Sequence, residues 1–141
     1  MSTLLSAIDA SASALDVQRA RMEVAVSNLA NAESTRAADG QPYRRREVVV
    51  ETMPFDQQMG ASGVGAAGVR VAAVLEDQAA FRRRYEPSHP DADAEGFVAT
   101  PNVDVPEEMV DMLGAARAYQ ANLQAIGLIR DTIQRALELA K

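Results

Sequence analysis

Apolar residues recur every 3.5 positions at both ends of this 141-residue chain, and that spacing admits few folds. Met1, Leu5, Ile8, Ala12, Leu15, Arg19, Met22, Val26 and Leu29 follow alternating steps of four and three, broken only by Arg19. Met109, Met112, Ala116, Tyr119, Leu123, Ile126, Arg130, Ile133, Leu137 and Ala140 repeat the pattern, broken only by Arg130. A 3.5-residue period is the seam of a coiled coil, narrower than the stripe of a globular surface helix. The chain therefore reads as α+β, with long N- and C-terminal helices pairing as a coiled-coil arm.

The C-terminal helix has a marked start. In "NVDVPEEM", Asp104 stands at the N-cap, Pro106 in the first turn, and Glu107 and Glu108 near the positive end of the helix dipole. From there to Lys141 the helix would span about 54 Å, and the first, from Thr3 to Ala30, about 42 Å. Between them the pattern changes. "PYRRREVVVET", "VRVAAVLED" and "FRRRYEP" are short, β-branched or alternating, and bounded by Gly, Pro and Asp, as strands of a small antiparallel insert are. "GASGVGAAG", residues 60–68, reads as a flexible loop. "EPSHPDADAEG" is a turn-rich connector, and "FVATPNV" leads back extended. The expected division is a helical arm over 1–35, a β-rich insert over 36–103, and a second arm over 104–141.

Aromatics make up only 4% of residues and Trp is absent, so the packing must come from thin seams of Ala, Val, Leu and Met. The net charge of −6 is spread evenly, −2 in each of residues 1–35, 36–100 and 101–141. No stretch forms a basic field, which argues against nucleic acid as a partner. The runs Arg44–Arg46 and Arg82–Arg84 are flanked by acids and read as solvated strand faces. Without cysteine there is no disulfide framework and no thiolate metal site. "MSTLLSAIDASASAL" lacks a basic leader and is interrupted by Asp9; no segment is long and apolar enough to insert in a bilayer. Taken alone, these features suggest the cytoplasm.

Chemistry finds little purchase. His89 is the only histidine, and "HPDADAEG" fits a calcium loop loosely but has Asn102 where the bidentate Glu belongs. There is no second His or Cys for zinc, no G-x-S-x-G, and no P-loop Lys in the Gly-rich stretch. The reading is of a protein without a cofactor that is not an enzyme. What remains are polar residues near the seams: Asn28, Asn31 and Thr35 in the first arm, Arg117, Tyr119 and Asn122 in the last. An amide or Arg in a seam fixes which partner face fits. Each buried CH₂ contributes about 0.8 kcal/mol, against about 1–2 kcal/mol of backbone entropy per ordered residue. A lone two-helix arm is thus expected to be marginal and to depend on neighbours. The alternative reading is a soluble coiled-coil adaptor in which the two ends pair within one chain and the β unit binds a partner.

Two motifs go further. "SNLANAEST", residues 27–35, resembles the signature that closes the N-terminal helix of bacterial flagellar axial proteins. "EEMVDMLGAARAYQAN" resembles their C-terminal signature, with Glu108, Met109, Arg117, Tyr119 and Asn122 at the corresponding places. "DGQPYRRREVVV" and "HPDADAEGFVATPNV" are similar to the proximal-rod family within that class, although Gln41 stands where a second Gly is common. The resemblance implies a structural subunit of the flagellar basal-body rod, exported unfolded by the flagellar type III apparatus and lying where the rod crosses the periplasm. It implies as partners the other proximal and distal rod proteins, the export gate and basal complex, and copies of itself. The assembly contacts expected from it are Asn28, Asn31, Thr35, Met109, Arg117, Tyr119 and Asn122. The amides of "SNLANAEST" are expected to satisfy orphan carbonyls where the helix ends.

Overall fold

A computed structural model of the chain describes residues 2–37, 40–53 and 68–139. Helix α1 (Ser2–Ala30) is followed by strands β1 (Arg46–Met53), β2 (Gly68–Glu76), β3 (Arg82–Tyr85) and β4 (Phe97–Thr100), then by helix α2 (Val105–Leu139). Two long helices pack together with a small antiparallel β insert between them in sequence, as the terminal periodicity predicts. The loop expected at 60–68 lies outside the described residues except for Gly68. The contacts divide the chain into two compact units. The first comprises Met1–Ala20, Val49–Ala73 and Gly114–Lys141; the second comprises Arg21–Val48 and Val74–Leu113.

The covered stripes differ from those expected by one residue in every other position. On α2, Glu108, Met112, Ala115, Tyr119, Asn122, Ile126, Ile129 and Ile133 are all buried or half-buried, in steps of four and three. On α1, Leu4, Ile8, Ser11, Leu15, Gln18, Met22, Ala25 and Leu29 do the same. Ile8, Leu15, Met22 and Leu29 belong to both versions, as do Met112, Tyr119, Ile126 and Ile133. The other members shift one position towards the N-terminus. The physical reason lies at the two interruptions: burying a charged guanidinium in an apolar seam is costly. The shift puts Gln18 inside instead of Arg19, and Ile129 instead of Arg130. Leu5, Val26, Met109, Leu123 and Leu137, read from sequence as seam residues, are exposed.

In the first unit α1 is covered on a second side as well. Ser6 and Val17 are buried there, with Ala10 and Ser13 half-buried between them. These short side chains let a strand approach closely. Ser13 Oγ donates to Ala10 O at 2.8 Å and accepts Val69 N–H at 3.1 Å. A Cβ on Gly68 would lie 3.2 Å from that hydroxyl, so the glycine permits the approach. β1 pairs with β2, and Arg70 grips Glu51 Oε2 through Nε and Nη2 at 3.1 and 2.8 Å.

In the second unit β3 and β4 form their own antiparallel pair, with Arg82 opposite Thr100 and Tyr85 opposite Phe97. The sequence read "FVATPNV" only as an extended return, so β4 and the split into two sheets are corrections. A strand of four residues is too short to show alternation. The Tyr85 and Phe97 rings meet edge to face at 5.3 Å. Asp93 braces the connection: its Oδ1 accepts the N–H groups of Glu95 and Phe97, both at 2.9 Å, and its Oδ2 accepts Arg83 at 2.8 Å. Gly96 turns the chain with φ +83°, a conformation that disfavours a side chain. Val98, Pro101, Val103 and Ala25 are buried, and so are three polar residues, Asn28, Thr100 and Glu108.

Candidate functional site

The second unit gathers its polar side chains at one point, where the end of α1, the approach to β1 and the start of α2 meet. Asn28, at the last turn of α1, is 1% exposed and uses every hydrogen-bonding position an amide has. Its Nδ2 donates to Arg46 O and to Glu108 Oε2, both at 2.9 Å. Its Oδ1 accepts Arg46 N–H and Tyr43 O–H, also both at 2.9 Å. Asn28 thus completes a strand-like exchange with the backbone of Arg46. A side chain standing in for a strand in this way fixes where β1 begins.

Glu108, 2% exposed, receives Arg45 Nε on its other oxygen at 2.6 Å. Burial works against the charge on Arg45, but the hydrogen bond and negative charge of Glu108 outweigh it, and the guanidinium pKa is raised. Arg45 is anchored through its backbone too. Its N–H donates to Asn102 Oδ1 at 2.8 Å, and its carbonyl accepts Asp77 N–H at 2.8 Å. Arg45 was read from sequence as part of a solvated run; the need of Glu108 for a counter-charge draws it inward. Its neighbour Arg44 stacks on Phe81 at 4.3 Å, while Arg46 stays exposed as expected.

The end of "SNLANAEST" does not satisfy an orphan carbonyl as expected. Asn31 Nδ2 donates to Ser27 O at 2.8 Å, a carbonyl that already accepts Asn31 N–H at 3.1 Å, and Asn31 Oδ1 accepts Ser34 Oγ at 3.3 Å. No non-glycine residue described has a positive φ; the helix end tightens instead, with Asn31 N–H also reaching Asn28 O at 3.2 Å and Ala32 N–H reaching Leu29 O at 3.3 Å. Thr35 Oγ1 donates to Asp91 Oδ2 at 2.9 Å, and Asp91 N–H donates to His89 Nδ1 at 3.1 Å. At the other end of the chord, Asp104 Oδ1 accepts Glu107 N–H at 3.3 Å and Arg82 donates to Oδ2 at 3.0 Å. Asp104 is the N-cap of α2 that the sequence predicts.

The seven residues expected at contacts with other subunits therefore fall into two groups. Asn28, Asn31, Thr35 and Met109 lie in the second unit. The three polar members bond within the chain, and Met109 is exposed beside the buried Glu108. Arg117, Tyr119 and Asn122 lie in the first unit, Arg117 exposed and the other two half-buried on the covered stripe. None of these three makes a side-chain hydrogen bond or ion pair among the described residues. Sequence reasoning missed Tyr43, Arg45 and Asn102. The available signal was Glu108 itself, four residues before Met112 on the inner stripe, because a carboxylate placed there requires a partner. The node holds no free nucleophile, acid or base: each donor faces an acceptor. Its chemistry is that of a clamp.

Comparison with known proteins agrees with a structural role. The family model for the flagellar basal body rod FlgEFG protein C-terminal region matches residues 94–139, which include β4 and α2. The flagellar basal-body rod protein FlgC of Escherichia coli O6:H1 (strain CFT073) is 44% identical over 138 residues, covering 98% of each chain. That of Bacillus subtilis (strain 168) is 41% identical over 99% of each chain, and that of Aquifex aeolicus (strain VF5) 36% over the whole of both. With likeness of this extent on top of the two terminal signatures, the chain belongs to the FlgC family of flagellar basal-body rod proteins.

Proposed function

We propose that the chain is a structural subunit of the basal-body rod that is exported unfolded and joins the rod through its terminal helices. The observation that carries this reading is the near-full-length identity to rod proteins. The fold supports the assembly step. The helices leave Leu5, Val26, Met109, Val110, Leu113, Leu123 and Leu128 exposed, more apolar surface than a finished monomer needs. In a rod, neighbouring subunits cover such surface, and the contacts are heterologous so that the tube keeps growing.

Export as an extended chain fits the same layout. Only the chain or a helix about 10–12 Å across need pass a narrow channel, with ordering left until neighbours are present. The other proximal and distal rod proteins, the export gate and the basal complex are the partners of this reading. Asn31, Arg117, Tyr119 and Asn122 border the surfaces that meet them, while Asn28 acts from inside by holding β1 and α2 in place.

Deleting the coding sequence in its own bacterium tests the reading. Swimming is expected to stop, with flagella arrested before the hook, and the restored chain should be recovered outside the inner membrane with its N-terminus unprocessed. Normal swimming and complete basal bodies in the deletion strain would rule it out.

A further inference from the structure

The bonds of the buried node join parts of the chain that lie far apart in sequence. Asn28 and Glu108 are 80 residues apart, Arg45 and Glu108 63, and Arg45 and Asn102 57. Other ties within the second unit are of the same kind: Thr35 to Asp91 across 56 residues, and Arg84 to Glu33 across 51. A contact of this range forms only after the loop between its ends has closed, and chains dominated by such contacts fold slowly. Helix α2 is different. Its start signals, the Asp104 cap with Pro106 behind it, are local, so the helix that carries Glu108 forms without waiting for the rest.

The chemistry of the node adds to the delay. Asn28 and Glu108, 1% and 2% exposed, stand where the end of α1 meets the start of α2. An apolar pair at these positions would hold the two helices together on first approach. The polar pair gives no such gain until Arg45, tied through its backbone to Asn102 and Asp77, supplies the counter-charge. The three side chains must shed their water together, and a network with one member missing is worse than an apolar contact.

We propose that this node is a brake on folding: it closes last, and until it closes the second unit stays open and the chain stays threadable. Once closed, the same groups are the clamp, so one device first delays the fold and then secures it. The proposal rests on the reading that the chain is exported unfolded, and adds what keeps it unfolded beforehand.

Refolding kinetics of the full-length chain test it. Tyr43 belongs to the node, so tyrosine fluorescence after a urea jump reports its closure. Contacts absent from the transition state change the unfolding rate alone. Glu108→Gln keeps the size and removes the charge; it should unfold about tenfold faster and refold within about twofold of the wild type. Asn28→Leu, Arg45→Met and Glu108→Leu together put an apolar contact in place of the network and should refold about tenfold faster than the wild type. Refolding slowed by Glu108→Gln as much as unfolding is quickened overturns the proposal, as does a triple variant that refolds no faster or not at all. So does a wild-type chain whose second unit does not close by itself.

In cells the triple variant should be exported several-fold less than the wild type, with the remainder protease-resistant inside. Adding Val98→Ala, which loosens the same unit at a fully buried side chain, should restore its passage. Loss of an export signal would not be repaired in that way, so a failure of this rescue overturns the proposal. A fast-refolding triple variant exported like the wild type overturns it too and leaves the export reading standing. That reading fails separately, if the wild-type chain is never recovered outside the inner membrane.

Discussion

The two units of this molecule solve the same packing problem by opposite means. The second unit puts a carboxylate, an amide and a guanidinium into its interior and satisfies them with named partners: Glu108 by Arg45 and Asn28, Asn28 by Tyr43 and Arg46. The first unit relies on small and apolar residues along a thin helical seam, and Gln18 Oε1, buried within it, has no hydrogen-bond partner among the described residues. Partnered polar groups have one good arrangement and lose much if shifted, whereas an apolar seam slides at low cost. The second unit is therefore the part with a fixed internal geometry.

The sharpest way to break this comparison is at Glu108. Glu108→Ala would leave Arg45 charged, 17% exposed and short of its main counter-ion. Removing one partner of a buried pair costs about 3–5 kcal/mol. Urea unfolding should show a loss of that order, with amide exchange accelerated at Arg46 and at the first turn of α2. A loss below about 1 kcal/mol would mean that the node is ornamental and that both units stand on apolar packing alone.

Much of this was legible in the sequence, but not the same amount in each unit. The helices and the Asp104 cap were readable because their signals are local: periodicity, and Pro106, Glu107 and Glu108 within one turn. The covered stripe was misplaced by one residue because a 3.5 period makes adjacent stripes share every other member. Only the cost of burying Arg19 and Arg130 separates them. The clamp was not legible, since Arg45 and Glu108 are 63 residues apart and each looks like an ordinary surface charge by itself. The pairing of β3 with β4 was hidden for a similar reason. Four residues, "FVAT", are too few to be told from an extended linker until Asp93 and Gly96 are seen to turn the chain.

The first unit offers the converse test, of middle size. Gln18→Leu removes an orphaned carbonyl from the covered stripe and supplies the apolar side chain that the period calls for. Relieving a buried unsatisfied acceptor should stabilise by about 1 kcal/mol, seen as a higher melting temperature. The same change should reduce motility if Gln18 sets the register of the helices, because a Leu there fits several alignments equally well. A lower melting temperature would show that Gln18 bonds within the native packing and that the first unit is as strictly specified as the second.

The smallest effect distinguishes the units by pH. Asp104 is held below its ordinary value of 3.8, first by the hydrogen bond from Arg82 and then by Glu107 N–H. Asp93 is held below it by Phe97 N–H first, with Arg83 and Glu95 N–H adding to the effect. A carboxyl whose folded pKa is depressed contributes stability that is fully present above its unfolded pKa and is lost as pH falls through the folded value. Both groups are solvent-exposed, so each contribution is small. Between pH 5 and pH 2 the β3–β4 hairpin and the first turn of α2 should loosen, with the Tyr85 and Phe97 ring signals losing their mutual shift. Asp104→Asn with Asp93→Asn should flatten that part of the profile. An unchanged profile would show that these turns hold without their charges and that the internal order of the second unit comes from Asn28 and Glu108 alone.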